Sequence, residues 1–324
     1  MTVHQLVASM AVGAATTNDV LALQAQFGGH GTSHVGVLAE TSGSGLEHLC
    51  STWASVASSA TPHDTLVIHS GVLGPPLPDI AAWPGRVVAR VHDPGPRQSE
   101  YDTAKTAAIR ISTSVFGADS LARRIGGPVH VVAPLLPLDG FLAVQHDVSV
   151  PAILLDEPIA DGCTTISGVL VAHLMRTHLV PRTRLDRLGP IFDQARAEGI
   201  ALLCEQLRLS VQWLGVVPHP VVLATYASAS LLLVGGSTFP AGAVNAMAAG
   251  VPIVGRGSAI VREVVGEAGL LVDPLDDDAV LAEAAAEVMG SPTLAAELVA
   301  AGRDRVGRFA PQFGAARIHE LLQE

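Results

Sequence analysis

Residue types that bind sugars and phosphates follow several apolar segments of this sequence. His69 and His92 each close an apolar run, and Gly13, Gly189 and the loop 236–242 follow others. An imidazole can gain or lose a proton near neutral pH. A helix beginning at the end of the loop would present free backbone N–H groups to an anion or a sugar hydroxyl. These residues therefore predict a small-molecule site, although packing at a strand end is an alternative for both histidines.

Strand-like and helix-like segments alternate in the first half of the chain and must position these residues. We expect helices over 16–27 and 116–125, and strands over 5–10, 35–38, 65–69, 87–92, 109–112 and 129–132. Repeated units of this kind predict a parallel, doubly wound sheet. Ligands bind such sheets beyond the carboxyl ends of the strands.

The same pattern restarts after residues 141–158, which we interpret as a linker. The expected strands are 185–188, 211–214, 231–234 and 252–254, and the expected helices are 169–179, 193–207, 221–226, 243–249, 276–289, 292–301 and 314–322. The sequence therefore predicts an α/β protein with two similar halves. A length of 324 residues suffices for two cores.

Composition supports this fold class and excludes some partners. Apolar residues make up 49% of the chain but aromatic residues only 4%, which suits parallel sheets covered by Ala-rich helices. The formal charge is −11, so no basic surface for nucleic acid or anionic lipid is expected. Three scattered cysteines (Cys50, Cys163 and Cys204) and the absence of a charged, apolar leader predict a cytoplasmic protein.

One long stretch lacks charge altogether. No Asp, Glu, Lys or Arg lies between Arg208 and Arg256, but four prolines and a Gly-Gly pair divide the stretch. The pieces are shorter than the roughly 20 residues that a membrane span needs. We therefore expect buried strands and no contact with an integral membrane.

Two ordered motifs near the C-terminus resemble a known family. Residues 245–254 read N-A-M-A-A-G-V-P-I-V, and residues 262–274 read R-E-V-V-G-E-A-G-L-L-V-D-P. They resemble the signature of retaining GT-B glycosyltransferases of the family-4-like, group 1 type, which reads E-A-M-A-x-G-x-P-V-V and then E-V-V-G-x-x-G-L-L-V-x-P. Residues 211–217, V-Q-W-L-G-V-V, are similar to the family segment beside the nucleotide base.

The N-terminal half matches the family more loosely. Residues 13–23 are similar to its G-D-A-x-x-N-D-x-x-x-L opening, and residues 90–96 to its H-N-x-x-P loop. The resemblance implies two facing Rossmann-like domains, with the acceptor side over 1–150 and the nucleotide-sugar side over 151–305. Residues 306–324 would form a C-terminal helix, with packing on the first domain as one option.

The resemblance also implies the activity and the site. A sugar would move from a GDP- or UDP-linked donor to a small soluble acceptor with retained configuration, without a bound cofactor or metal, and a homodimer is one option for assembly. His92 would be catalytic. The implied donor-binding residues are Ser237, Thr238, Phe239, Ala241, Asn245, Gly189 and Val217. The implied acceptor-binding residues are Gly13, Thr17, Asn18 and His69.

The sequence departs from the family at its charged anchors. Ser237 and Asn245 stand where the family has two glutamates, and Pro240 offers no backbone N–H. The family also has a V-G-R strand end and a following lysine that neutralise the leaving diphosphate. We match that strand end to residues 165–170, which contain neither cation, and four arginines remain candidates to replace them: Arg176, Arg182, Arg184 and Arg187.

These departures leave several functions open. The leading one is a glycosyltransferase of specialised, secondary metabolism. The main alternative is a catalytically inactive pseudo-glycosyltransferase that acts as a partner or regulatory subunit. Lower alternatives are a thioglycoside-forming transferase of the lincosamide type and a sugar-nucleotide epimerase. The acidic run at 276–278 predicts a helix cap rather than a metal site.

Overall fold

The computed structural model divides the chain into two compact α/β units. The first comprises residues 1–137 and 309–324, and the second residues 138–308. The structure describes residues 2–8, 10, 15–27, 34–38, 46–70, 78, 80–92, 98–160, 163–236 and 238–324.

The first unit is built on seven parallel strands in the order β3-β2-β1-β4-β5-β6-β7. The strands are β1 Val3–Val7, β2 Val35–Val37, β3 Cys50–Thr52, β4 Thr65–Ser70, β5 Arg86–Val91, β6 Ile109–Ser112 and β7 His130–Val131. The helices are α1 Ala15–Phe27, α2 Trp53–Ser59, α3 Gln98–Thr106, α4 Val115–Ile125 and, from the end of the chain, α13 Pro311–Gln323. Helix α13 buries Ile318, Leu321 and Leu322 in the same core as Leu23 and Phe27 of α1.

The second unit has six parallel strands in the order β10-β9-β8-β11-β12-β13. The strands are β8 Ala152–Asp156, β9 Arg184–Leu188, β10 Val211–Gly215, β11 Leu231–Val234, β12 Ile253–Arg256 and β13 Gly269–Val272. The helices are α5 Asp139–Leu142, α6 Thr165–Leu174, α7 Gln194–Gln206, α8 His219–Ser228, α9 Ala241–Ala249, α10 Ala259–Val265, α11 Asp278–Gly290 and α12 Pro292–Val306.

Both sheets reverse their strand order at one point. In the first unit the reversal lies between β1 and β4, and in the second between β8 and β11. An order of this type defines the Rossmann arrangement, and a crevice for ligands opens at each reversal, beyond the carboxyl ends of the strands. Each unit therefore offers a crevice of its own.

Apolar runs explain why the central strands form. Every residue of β11 is buried, as expected for a strand covered by helices on both faces. The charge-free stretch thus packs as strands and short helices inside the second unit. Within the described parts of the chain, no helix combines the length and the apolar character needed to cross a bilayer.

The interpretation of residues 141–158 as a linker is wrong. They contain β8, a central strand in which Ala152 to Leu155 are fully buried. Pro151 and Pro158 lie on either side of this strand, and prolines are typical of loops. The short apolar run between them was therefore not recognised as a strand. The next predicted helix begins earlier than expected, since α6 covers Thr165–Leu174 and a π-helical turn follows at Met175–Leu179.

Helix α9 starts in close contact with the end of β8, which generates a stability prediction. A Cβ atom added at Gly242 would lie 2.8 Å from the Asp156 carbonyl oxygen and 3.0 Å from its Cβ. We expect Gly242→Ala to lower the free energy of unfolding by about 1–3 kcal/mol through overpacking. Gly199→Ala, in helix α7 with nothing within 4 Å of the added Cβ, should instead raise it by about 0.5–1 kcal/mol. Urea denaturation of both variants checks this, and equal effects would contradict the prediction.

Candidate functional sites

The first site lies at the carboxyl ends of β1, β4 and β5. His69 is the penultimate residue of β4, and His92 directly follows β5. His69 Nδ1 lies 3.0 Å from His92 Nε2, and His69 Nε2 lies 2.9 Å from Gln5 Oε1. The structure thus brings together the two histidines that the sequence singled out and adds Gln5, which sequence reasoning missed.

A buried ion pair supports the histidines from behind. Asp19 on α1 accepts hydrogen bonds from the guanidinium of Arg90 at both carboxylate oxygens and from the Leu135 backbone N–H. Arg90 also donates to the backbone carbonyls of Val132 and Ala133. Asp19 and Arg90 are both 0% exposed. All of their charged contacts are made within the protein, as a buried pair requires.

The ion pair and the burial set the protonation of the cluster. Burial would raise the pKa of Asp19, but the charge and hydrogen bonds of Arg90 lower it to about 2. Burial lowers the pKa of His69 well below its ordinary value, and His92 adds to this effect. Burial also lowers the pKa of His92 to about 4, although Asp19 opposes the shift. Both imidazoles are therefore neutral at pH 7.

Asp19, His69 and His92 could offer three metal ligand atoms within 4.8 Å of one another. The carboxylate, however, already forms two hydrogen bonds with Arg90, and His69 bonds Gln5 and His92 through its two ring nitrogens. A divalent cation would have to displace this buried guanidinium or lie beside it. The donor set therefore fits hydrogen bonding better than metal coordination.

The other predicted acceptor residues lie near the start of α1 or beyond the described chain. Thr17 is buried in the first turn of α1, and Asn18 beside it is partly exposed. Gly13 lies outside the described residues. His69, with its side chain 0% exposed, contacts Gln5 and His92. Its predicted contact with an acceptor stays a prediction.

The second site lies at the reversal between β8 and β11. Asp156, the last residue of β8, accepts hydrogen bonds from the Tyr226 hydroxyl at 2.5 Å and from the Asn245 side chain. Tyr226 lies on α8 and Asn245 on α9. Burial raises the pKa of Asp156, while these two donors and Arg187 oppose the shift. Asn245 thus serves as a hydrogen-bond donor to a carboxylate on the adjacent strand.

A second carboxylate occupies the beginning of helix α6. Glu157 Oε1 accepts a hydrogen bond of 2.7 Å from the Thr164 backbone N–H and one of 3.0 Å from the Thr165 hydroxyl. Burial raises the pKa of Glu157, although both threonines and Arg187 oppose the shift. The N-terminus of α6 therefore binds an anion that belongs to the protein itself.

The positive charge of Arg187 acts against the burial that raises the pKa of both Asp156 and Glu157. Arg187 is 1% exposed, and its guanidinium donates to the backbone carbonyls of Glu157, Gly189 and Pro190. These contacts connect the segments that follow β8 and β9. Arg187 therefore acts within the protein, and the described contacts of its terminal nitrogens are all with carbonyl oxygens.

The remaining predicted donor residues lie at the carboxyl edge of the second sheet. Thr238 is exposed and Phe239 is buried in the loop between β11 and α9, and Ala241 is the first residue of α9. Gly189 follows β9 with a φ of +102°, and Val217 follows β10. Ser237 lies outside the described residues. That these residues bind a donor stays a prediction.

The matching of residues 165–170 to the family's V-G-R strand end is wrong. Thr165 to Leu170 lie in helix α6, whereas the strand at the reversal, β8, ends at Leu155-Asp156 and is followed by Glu157. The error arose because β8 was hidden in the supposed linker. Two acidic residues stand at this strand end, since Asp156 is the last residue of β8 and Glu157 follows it.

The cap predicted for residues 276–278 is confirmed. Asp277 is the N-cap of α11 and accepts hydrogen bonds from the backbone N–H groups of Ala279 and Val280. Asp278 forms a 2.9 Å ion pair with Arg256. Of the four candidate arginines, Arg184 pairs with Asp186, and Arg187 is buried as described above.

Each of the two parallel sheets has the strand order of the Rossmann arrangement. The model of the family described as Glycosyl transferases group 1 matches residues 177–291, all of which lie in the second unit. The two sheets confirm the predicted α/β fold, and the family match agrees with the predicted resemblance to glycosyltransferases. No curated protein matches the sequence.

Several solved structures share the fold over nearly their whole length. Anabaena HepE, solved in complex with UDP and glucose, is 15% identical with a TM-score of 0.80, and the alignment covers 100% of this chain and 99% of HepE. Sucrose-phosphate synthase from Thermosynechococcus elongatus is 16% identical with a TM-score of 0.75 and coverage of 100% and 98%. A glycosyltransferase from Rickettsia africae is 15% identical with a TM-score of 0.71 and coverage of 99% and 97%.

The contact between Asn245 and Asp156 predicts that glutamate, the family residue at position 245, destabilises this protein. Asn245→Glu removes an amide donor and places a second carboxylate beside Asp156. We expect a loss of about 1–3 kcal/mol in the free energy of unfolding. Asp156→Gly combined with Asn245→Glu should be more stable than the sum of the single changes predicts, because the repulsion is removed.

Urea denaturation of the wild type, both single variants and the double variant checks this coupling. Asn245→Gln, which keeps an amide at this position, is the control and should cost less than Asn245→Glu. Strict additivity of the two changes would contradict the prediction.

The buried, neutral histidines predict a stability that depends on pH. The unfolded chain binds a proton at His92 near pH 6.5, whereas the folded chain binds it only near pH 4. Stability is therefore lost as the pH falls from 6.5 to 4, by about 3 kcal/mol for His92 alone. His69 acts in the same direction.

Urea denaturation between pH 7 and pH 4 tests this expectation. In a Trp213→Phe background, the fluorescence reports Trp53 and Trp83 of the first unit, which stack on each other. His92→Gln should flatten the decline in the free energy of unfolding. An unchanged slope in this variant would show that His92 is not the group responsible.

Proposed function

We propose that this protein is a retaining glycosyltransferase that moves a sugar from a UDP- or GDP-linked donor to a small soluble acceptor. The observation that carries the proposal is the group 1 match over residues 177–291. The match includes β11, the following loop and α9, where the second unit has its reversal of strand order. The UDP complex of HepE supports a nucleotide donor.

The stereochemistry and the metabolic role rest on finer features. Retention of configuration follows from the resemblance of residues 245–254 and 262–274 to the retaining family. The role in specialised metabolism is inferred from Ser237 and Asn245, which replace the two glutamates of the family. A site without these glutamates suits an uncommon donor or nucleophile. We assign the donor to the second unit and the acceptor to the first.

In this proposal each unit supplies a different part of the reaction. Backbone N–H groups at the start of α9 would bind donor oxygens. His92 would bind a hydroxyl of the sugar, and its low pKa of about 4 suits hydrogen bonding better than proton removal at pH 7. A phosphate oxygen of the donor would take the proton of the attacking acceptor hydroxyl as the glycosidic bond breaks.

One observation favours the second candidate, a non-catalytic relative that binds a partner or a regulatory ligand. Glu157 directly follows strand β8, and its carboxylate already occupies the N-terminus of α6. A diphosphate would meet negative charge there rather than the positive charge that stabilises its departure. This candidate predicts that nucleotide diphosphates do not bind.

Calorimetric titration with UDP and GDP separates the two candidates. Micromolar binding of either nucleotide supports the glycosyltransferase, and the absence of binding by both nucleotides and their sugar conjugates supports the non-catalytic relative. Detection of the anomeric product by NMR then tests retention of configuration.

The charge of Glu157 makes a further prediction for the same titration. Glu157→Gln keeps an oxygen that can cap α6 but removes the negative charge, so UDP affinity should rise by about tenfold, or about 1.4 kcal/mol. Asp193→Asn is the matched control because Asp193 caps the neighbouring helix α7. It should leave the affinity unchanged. A lower affinity in Glu157→Gln would show that the carboxylate assists binding.

A further inference from the structure

We infer that Gln5 and His69 are positioning residues that fix the tautomer of His92. In this arrangement His92 carries its hydrogen on Nε2 and presents a bare Nδ1, which binds a hydroxyl or another hydrogen-bond donor. The tautomer is a property of the protein alone. Only the identification of the bound group as a sugar hydroxyl rests on the proposed function.

The orientation of the Gln5 amide starts the argument. Gln5 Nε2 lies 3.1 Å from the Val20 carbonyl oxygen and 3.2 Å from Gln24 Oε1. A backbone carbonyl can only accept a hydrogen bond, so the amide nitrogen must face α1. The amide oxygen of Gln5 therefore faces His69.

The two histidine rings continue the chain of hydrogen bonds. His69 Nε2 lies 2.9 Å from Gln5 Oε1, an acceptor, so this nitrogen must donate. A neutral imidazole has a single N–H, which leaves His69 Nδ1 as an acceptor. His92 Nε2, 3.0 Å away, must then donate to His69 Nδ1, and the lone pair remains on His92 Nδ1.

The Asp19 carboxylate does not reverse this direction. Asp19 Oδ2 lies 3.6 Å from His69 Nδ1 and 3.5 Å from His92 Nε2, so it favours a hydrogen on either nitrogen almost equally. The reversed chain would place the bare His69 Nε2 against the lone pairs of Gln5 Oε1 at 2.9 Å. A charged ring would add a second cation beside Arg90, whose pairing with Asp19 is already complete.

The bare nitrogen defines what His92 can recognise. The His92 side chain is 7% exposed, and Nδ1 has no hydrogen-bond partner within the part of the chain that the structure describes. A lone pair accepts from a hydroxyl or amine and repels a carbonyl or phosphate oxygen. His92 therefore selects a ligand that presents a hydrogen-bond donor at this position.

Long-range ¹H–¹⁵N NMR of protein labelled with ¹⁵N-histidine tests the tautomer at pH 7. His92 is assigned by the loss of its signals in His92→Gln. We expect the chemical shift of a protonated nitrogen for Nε2 and that of a bare nitrogen for Nδ1. A proton on Nδ1, or on both nitrogens, overturns the inference.

Three variants separate positioning from general structural support. His69→Leu removes the acceptor, so the single tautomer of His92 should be lost. His69→Asn places an amide oxygen near the former Nδ1 and should preserve it. His4→Leu changes another buried histidine of the same unit, which stacks on His34 away from the cluster, and should leave the His92 signals unchanged. An unaltered His92 tautomer in His69→Leu overturns the inference.

Ligand binding gives the second readout. For the hydroxyl-bearing substrate, His69→Leu should raise KM by about tenfold, the effect of losing about one hydrogen bond, whereas His69→Asn should change KM by less than about threefold. Equal effects of the two substitutions on KM overturn the inference. If NMR shows the expected tautomer but the protein binds no nucleotide sugar, the proposed function is rejected. The positioning role of Gln5 and His69 is then still supported.

Discussion

The buried ion pair between Asp19 and Arg90 is the interaction on which the first unit depends. It connects α1, β5 and the backbone at residues 132–135 through five hydrogen bonds. Removal of either partner would leave an uncompensated charge in the core. The pair also sets the electrostatic conditions under which two histidines remain neutral beside it. The geometry of His92 therefore depends on a salt bridge that lies beneath it.

The second unit stabilises its buried charges in another way. Glu157 is compensated by donors at the beginning of α6, and Asp156 by a hydroxyl and an amide. Withdrawal from water raises the pKa of both carboxyl groups. The unit therefore combines the Rossmann strand order with two carboxylates, next to its reversal, that already have protein donors.

Much of the architecture could be predicted from the sequence, because short apolar runs and helix periodicity are local signals. Strands β6 and β11 occur at the predicted residues, and the paired histidines were recognised at adjacent strand ends. Strand β8 was missed because its flanking prolines imitate a loop, and the strand end of the second site was therefore misplaced. Gln5 and His69 are 64 residues apart, and no local pattern relates them. Only the register of β1 beside β4, with Gln5 paired to Val67 and Val7 to His69, brings them together.

Arg187 has a mechanical consequence for the second unit. Its guanidinium binds carbonyl oxygens on either side of the gap between the segments after β8 and β9, and the Gly189 N–H extends this connection to Gly215 on β10. These hydrogen bonds hold the carboxyl ends of β8, β9 and β10 together as one rigid edge of the sheet. The crevice at the reversal therefore has one rigid side, formed by the ends of β8, β9 and β10, and the loop between β11 and α9 borders it at the neighbouring strand. Variation in specificity among related proteins is expected to concentrate in that loop.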